Sequence, residues 1–274
     1  LNHGSWMPAE NMLGKYWAVP NAIASLSIPP LESLGKERVS RFNMNDDFFY
    51  LVGRWLGDGW LRDSQRPGRP QGQTWGVALI CESPDKAGEL IAAARKVVEP
   101  VAIEEAPTCV KVKIYSKPLV RWLSTHFGKY AHGKTLPGWV YGMPEAYRRA
   151  LFNGLMDADG YKVNESFVKL TTVSKKLAHG VRILAETLGY FTTIYFDPRP
   201  LQTVIEGRVV NQRDTYTVGI RTPVHTSGVR SYSHTWYPVR KITPTNELKC
   251  VYNLTVANDN SYIADGIVVH NCQD

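Results

Sequence analysis

Cysteine is scarce. Cys81, Cys109, Cys250 and Cys272 are the four in 274 residues, and their spacing matches neither a zinc-ligand motif nor the paired framework of a small secreted protein. Cys81, Cys109 and Cys250 are expected to be plain buried thiols. No apolar run is long enough to span a bilayer, and no signal peptide or lipidation motif is recognised. No membrane partner is therefore expected, and a cytoplasmic, reducing compartment is. Disorder is excluded by a hydrophobic content of 43% and an aromatic content of 11%, enough for packed cores. Acidic residues are outnumbered, 25 against 32 Lys and Arg, leaving a net charge of +7. That excess fits a nucleic-acid partner without establishing one.

What is present is a repeat. An apolar helical pattern from Phe48 ends in Asp58-Gly59-Trp60, and a second from Tyr147 ends in Asp159-Gly160-Tyr161. Each is followed by a β-like run, a serine and a helix: Val77 to Ser83 and then Pro84 to Val98, Val168 to Ser174 and then Lys175 to Leu188. Two copies of one unit imply a pseudo-twofold domain. The first copy carries a longer loop, Arg62 to Gln73, containing Arg66 in a basic, Pro- and Gly-rich run. Such a loop reaches along phosphates or is an ordinary surface insertion; both readings stand. Outside the repeat the chain is short-stranded. Residues 1–28 are non-helical, and β-like runs are expected at 237–242, 250–256, 261–264 and 266–269.

Gly53 and Gly57 share one helix face, as do Gly154 and Ala158. Small residues four apart let two helix backbones approach closely. If the helices pack along these faces, Asp58 and Asp159 meet at one end, and two adjacent carboxylates repel unless a cation lies between them. An oxygen-seeking divalent ion such as Mg2+ suits that place, and such sites hydrolyse phosphodiesters. A lone Asp-Gly after an apolar helix would be only a helix end and a turn; duplication shifts the reading to function.

Leu51-Val-Gly-Arg-Trp-Leu-Gly-Asp-Gly59 and Phe152-Asn-Gly-Leu-Met-Asp-Ala-Asp-Gly160 resemble the paired motifs of LAGLIDADG homing endonucleases, the first more loosely, with Leu56 at the consensus position of an earlier Asp. Gly133-Lys134-Thr-Leu-Pro137 resembles the family's lysine-and-proline segment. The resemblance implies Asp58 and Asp159 as metal ligands, Mg2+ as cofactor for DNA cleavage and Lys134 as an active-site lysine stabilising charge near the scissile phosphate. It also implies a saddle-shaped, monomeric domain whose sheets enter the major groove of double-stranded DNA. Lys111, Lys113, Lys162, Lys169 and Arg66 are candidate phosphate or base contacts, although solvated strand faces often carry lysine without such a role.

The end of the sequence, Val268-Val-His-Asn-Cys272, with Val251 to Val256 and Asn260 to Gly266 before it, resembles the C-terminal splicing motifs of inteins. The residue types suit the chemistry. An Asn271 side-chain amide can attack its own carbonyl and cyclise to break the next peptide bond. His270 can polarise that carbonyl, and the Cys272 thiol can accept an upstream acyl group. The stretch from Asn2 to Pro20 resembles the segment at and after the His of an intein Thr-x-x-His motif, which assigns His3 to activation of the upstream junction. Asn253 and Asn260 stand where the family often has Asp and His, and both read equally as turn or strand residues. The upstream nucleophile is not in the chain, so the expectation is one piece of a split intein or a truncated one, splicing in trans with an N-terminal fragment and host exteins as partners and needing no cofactor.

Together these readings give an α+β chain: a Hint-type all-β splicing domain interrupted by a pseudo-twofold αββαββα-type endonuclease. Residues 1–28 form the first part of the Hint domain, 29–45 a linker, 46–220 the endonuclease, 221–271 the rest of the Hint domain, and 272–274 the downstream extein. Two other readings are a LAGLIDADG DNA-binding module without catalysis and a free-standing homing endonuclease without splicing.

Overall fold

The computed structural model describes residues 6–21, 23, 25–32, 42–65, 74–205, 207–222, 228–231, 233–244, 250, 254–256, 260–264 and 267–270. The chain enters through a short strand, β1 (Tyr16–Pro20). Residues 25–32 and 42–45 are irregular, but this connection is pinned to the core: Leu31 and Phe42 are buried, and Pro29 O accepts a bond from Trp122 Nε1 at 2.9 Å.

The first repeat runs α1 (Asp46–Asp58), β2 (Gly59–Gln65), β3 (Thr74–Glu82), α2 (Ala87–Val97), β4 (Ala102–Ala106), β5 (Cys109–Tyr115) and α3 (Lys117–His126). Its sheet is antiparallel, in the order β2-β3-β5-β4. The second runs α4 (Glu145–Asp159), β6 (Gly160–Asn164), β7 (Phe167–Thr172), α5 (Lys175–Thr187), β8 (Phe191–Asp197), an inserted hairpin β9 (Gln202–Ile205) and β10 (Arg208–Asn211), then β11 (Thr215–Arg221). Without the hairpin its sheet order, β6-β7-β11-β8, repeats the first. The repeated unit is thus helix–hairpin–helix–strand pair, fuller than the helix, strand and helix legible in the sequence.

Caps explain where the helices start. The Asn45 side chain accepts from Phe48 N at 3.1 Å, and Ser116 and Ser174 do the same for Leu119 N and Leu177 N at 3.2 and 3.1 Å. The serine recurring after each central strand plays two roles. Ser174 caps α5, whereas Ser83 bonds through its amide and hydroxyl to Glu82 Oε1 at 2.7 and 2.9 Å. On β5, Val110, Val112 and Ile114 are buried while Lys111 and Lys113 alternate to the other face, the period of two that puts helices on one side of a sheet and leaves the other outward.

The last described strands are β12 (Val229–Arg230), β13 (His234–Pro238), β14 (Ser261–Ala264) and β15 (Ile267–His270). β13 pairs antiparallel with β1, Tyr16 opposite Pro238 and Pro20 opposite His234, so the segments on either side of the double repeat form one sheet, β1-β13-β12. β14 and β15 form a hairpin whose second strand touches β1. The expected strand at 237–242 lies earlier, at His234–Pro238. Residues 250 and 254–256 carry no strand. Among the described residues no helix is long and apolar enough to cross a membrane.

Candidate active site

Helices α1 and α4 pack through their small residues. A methyl group on Gly53 would run into Leu151 O and stand 2.7 Å from Leu155 N; one on Gly154 would run into Tyr50 O and stand 3.1 Å from Arg54 N. The contacts are reciprocal. Each glycine faces the carbonyl of the residue three before the other glycine, as an approximate twofold axis between the helices requires. The same sequence interval separates Gly53 from Gly154 and Asp58 from Asp159, so that axis also relates the two aspartates. Tyr50 Oη donates to Asp157 Oδ2 at 2.8 Å across the pair.

At the shared end of the helices the Asp159 carboxylate lies beside Gly57, and the charges of Asp58 and Asp159 interact. Burial, the Asp159 carboxylate and Glu82 push Asp58 up to about 6, opposed by Arg54 and Lys134. Burial also raises Asp159, against the nearby Lys134 ammonium. Both carboxylates therefore hold protons more tightly than ordinary acids, the state expected of a pair lacking enough neighbouring positive charge. Among the described residues no third Asp, Glu, His or Cys completes a protein-only metal cage. Two carboxylates leave the rest of a coordination shell to water and phosphate oxygens, a donor set that fits Mg2+, which keeps several non-protein ligands.

Lys134 is 4% exposed. Its Nζ donates to the carbonyls of Trp55, Leu56, Gly57 and Gly59 at 3.1, 2.8, 3.1 and 2.8 Å. An ammonium has three N–H groups, so these four acceptors share them, and the charge sits on the C-terminus of α1, where the helix dipole favours a cation. Burial lowers Lys134 to about 8 against the raising pull of Asp159 and Asp58. Its carbonyl accepts from Ser174 Oγ at 2.6 Å, which ties the lysine segment to the cap of α5. Lys134 thus stands where the charges of both aspartates reach it.

Two residues of this neighbourhood escaped sequence reasoning. Arg54, 2% exposed, is ion-paired with Glu82 at the end of β3, and both act on Asp58. The signal was available: a charged residue one turn before Asp58, inside an apolar helix, needs a partner. The cysteines correct another expectation. Cys81 and Cys109 are half-buried and Cys250 is exposed; register puts Cys81 with Lys111, on the outward face of the first sheet rather than in the core. Burial, Cys109 and Asp58 push the Cys81 thiol up to about 11.

The candidate DNA contacts divide. Lys111 and Lys113 lie on the outward face of the first sheet, but both are bound to Glu104, Lys111 at 2.7 Å, and the two ammonium groups hold that carboxyl down at about 2. Lys169 and Tyr161 share the outward face of the second sheet, with Lys169 Nζ 5.4 Å from the Phe167 ring. Lys162 pairs in register with Val168, which puts it on the opposite face, and it bonds Glu165 at 2.7 Å. His270 ends β15, its ring 4.9 Å from Trp6, so the two ends of the described chain meet. His3, Arg66, Asn253, Asn271 and Cys272 lie outside the described residues.

Residues 146–219 match the family model described as LAGLIDADG-like domain. An iron-sulfur cluster assembly SufBD family protein of Mycobacterium tuberculosis is 27% identical over 179 residues, 63% of this chain and 21% of the relative. ATP-dependent DNA helicase Hel308 of Thermococcus kodakarensis is 28% identical over 183 residues, 58% of this chain and 16% of the relative. The homothallic switching endonuclease of Saccharomyces cerevisiae is 28% identical over 125 residues, 43% of this chain and 21% of the relative. This chain spans about a fifth of the length of the curated relatives it matches. Among solved structures, the homing endonuclease I-DmoI in complex with DNA and Mn is 19% identical, with a TM-score of 0.44, over 65% of this chain and 90% of that one. On the family match, this chain carries a LAGLIDADG-like domain at residues 146–219, within a mixed α/β fold.

Proposed function

We propose that the double repeat is a site-specific, metal-dependent DNA endonuclease of the LAGLIDADG homing type. The observation that carries this is the placement of Asp58 and Asp159 at the end of two helices packed glycine to backbone, their carboxyl pKa values both raised. Asp58 and Asp159 would hold Mg2+, which when bound supplies Lewis-acid activation of water and of the leaving oxygen. Lys134 contributes a fixed positive charge beside them, and Arg54 with Glu82 sets the electrostatic environment of Asp58. The outward sheet faces, with Lys169 and Tyr161 on one of them, carry the duplex. The test is selection of bound duplexes from a random library, followed by digestion in Mg2+: one defined double-strand break in the selected sequence supports the reading, and undamaged duplex overturns it.

We further propose that the endonuclease is inserted in a protein-splicing element of Hint type. Support comes from the β1–β13 pairing, which closes one sheet across the whole double repeat, and from Trp6 against His270. The relatives add a second argument. The matched stretches lie in proteins named for iron-sulfur cluster assembly, DNA unwinding and DNA polymerisation, and a segment recurring in such different proteins behaves as an insert. In this reading His3 assists the upstream acyl shift, Cys272 accepts the acyl group, and Asn271 with His270 releases the element. Mixing the chain with an N-terminal fragment that begins with Cys or Ser and following the mass of the products tests it: ligated flanking peptides support splicing, and their absence with every such fragment contradicts it.

A further inference from the structure

Cys81 and Cys109 stand together on the outward face of the first sheet. Cys81 pairs in register with Lys111 on β5, and Cys109 lies two residues before Lys111 on the same face of that strand. The two are thus diagonal cross-strand neighbours, and a hydrogen bond between their side chains holds the Cys81 proton. Both are free thiols and only half-buried, so small solutes reach them. Neither the aspartate pair nor the splicing segment uses them.

Their surroundings give the pair leverage on the aspartates. Cys81 is followed by Glu82, the last residue of β3, which is ion-paired with buried Arg54 and acts with it on Asp58. Cys109 opens β5 beside the turn at 107–108 that leads from β4, where backbone yields more easily than inside a sheet. Diagonal neighbours have Cα atoms about 7–8 Å apart, whereas a disulfide needs about 4.4–6.8 Å. Closing one here therefore draws the end of β3 and the start of β5 together, and Glu82 moves with Cys81. A bond made against such resistance is also easily reduced again.

We propose that Cys81 and Cys109 form an oxidisable dithiol that a small-molecule disulfide, such as oxidised glutathione, converts to an intramolecular disulfide, and that closure slows DNA cleavage by shifting Glu82 from Arg54. The second part rests on the proposed nuclease function. Burial and the Cys109 side chain push the Cys81 thiol up to about 11, so Cys109 takes the first step. Its thiolate attacks one sulfur of the glutathione disulfide and expels one glutathione thiolate. Cys81 then gives up its proton and attacks the Cys109 sulfur of the mixed disulfide, expelling the second glutathione. One disulfide bond forms and one breaks. Two electrons pass from the cysteines to glutathione, and the two cysteine protons end on the two glutathione thiols.

The test incubates the full chain with glutathione over a range of oxidised-to-reduced ratios, alkylates the remaining thiols and maps the peptides by mass. The expected product is a cross-link between Cys81 and Cys109, two hydrogens lighter than the two thiols. Its appearance is expected to track a fall in Mg2+-dependent cutting of the selected duplex on the order of tenfold, as displacement of groups around a reacting centre produces, and dithiothreitol should restore the rate. Cys81→Ser and Cys109→Ala should cut without responding to the ratio, while Cys250→Ser/Cys272→Ser should respond as wild type does. Full alkylation of Cys81 and Cys109 at every ratio overturns the proposal. A mapped cross-link with unchanged cutting overturns the effect on cleavage, and loss of the response in Cys250→Ser/Cys272→Ser overturns its assignment to this pair. Reduced wild type that cuts no selected duplex refutes the nuclease reading and the effect on cleavage with it, whereas the dithiol itself still stands or falls on the mapped mass.

Discussion

The Asp159 carboxylate lies against Gly57: a methyl carbon at position 57 would stand 3.3 Å from Asp159 Cγ and 3.4 Å from Oδ2, and would run into the Ala158 methyl. The closeness of the two helices and the closeness of the two acids are therefore one structural fact.

Substitutions in this interface separate stability from function. Gly154→Ala places a methyl on the Tyr50 carbonyl, where backbone cannot yield cheaply. The cost is expected at roughly 1–3 kcal/mol, despite the better helix propensity of alanine. That corresponds to a fall in melting temperature of about 3–10 °C, read by calorimetry. Gly57→Ala meets the Ala158 methyl, which is fixed to its own backbone, and the Asp159 carboxylate; it should cost stability as well, and additionally lower cleavage by displacing Asp159.

The weakened acidity of the pair gives a pH signature. The folded pKa of Asp58 is about 6 against an ordinary 3.8. A carboxyl raised in the folded state stabilises the fold while protonated; that contribution is present below the ordinary value and is lost as pH rises through about 6. Metal-free Asp58→Asn should thus melt above wild type at about pH 8 and converge with it towards pH 4. Mg2+ needs ionised carboxylates, so its affinity, followed by calorimetric titration, should weaken as pH drops below about 6.

Lys134 caps the end of α1, and one pair of variants tests the further role proposed for it in cleavage. Lys134→Met leaves the carbonyls of Trp55, Leu56, Gly57 and Gly59 without their shared donor, and both melting temperature and cutting should fall. With its folded pKa near 8, the wild-type cutting rate should decline as the ammonium loses its proton above that pH. Lys134→Arg, which does not titrate in this range, should lose the alkaline decline even if its overall rate is lower. An unchanged pH profile in Lys134→Arg would remove Lys134 from the charge balance of the reaction.

The site was more legible than its surroundings. Gly53, Gly57, Gly154 and Ala158 announced the helix pair because close backbone approach tolerates few residue types. The strands β4, β8 and β11 and the helix α3 left no comparable signature; the Val110-Lys-Val-Lys-Ile114 alternation marks β5 as a strand but does not reveal which strands it joins. The fate of the lysines was equally hidden, since the choice of Glu104 by both Lys111 and Lys113 depends on register between β4 and β5. The buried Glu186 bonds Arg182 and Thr192, its near neighbours in sequence, and also Tyr237 of the flanking sheet; that last partner is too distant in sequence to be paired beforehand.

For splicing in trans, Asn271→Ala should halt the reaction at a branched species visible by mass, because Asn cyclisation is the releasing step. Trp6→Ala should slow the reaction by removing the ring that meets His270. Ligated product at normal yield from Asn271→Ala would show that this junction has another chemistry.

The most direct measurement is cleavage of the selected duplex in Mg2+ by wild type, Asp58→Asn and Asp159→Asn, with duplex affinity determined in parallel in Ca2+. The expected result is a defined double-strand break by wild type, and loss of that break in either variant with affinity retained. Wild-type double-strand cutting by both variants would contradict the assignment of Asp58 and Asp159 as the metal-holding pair.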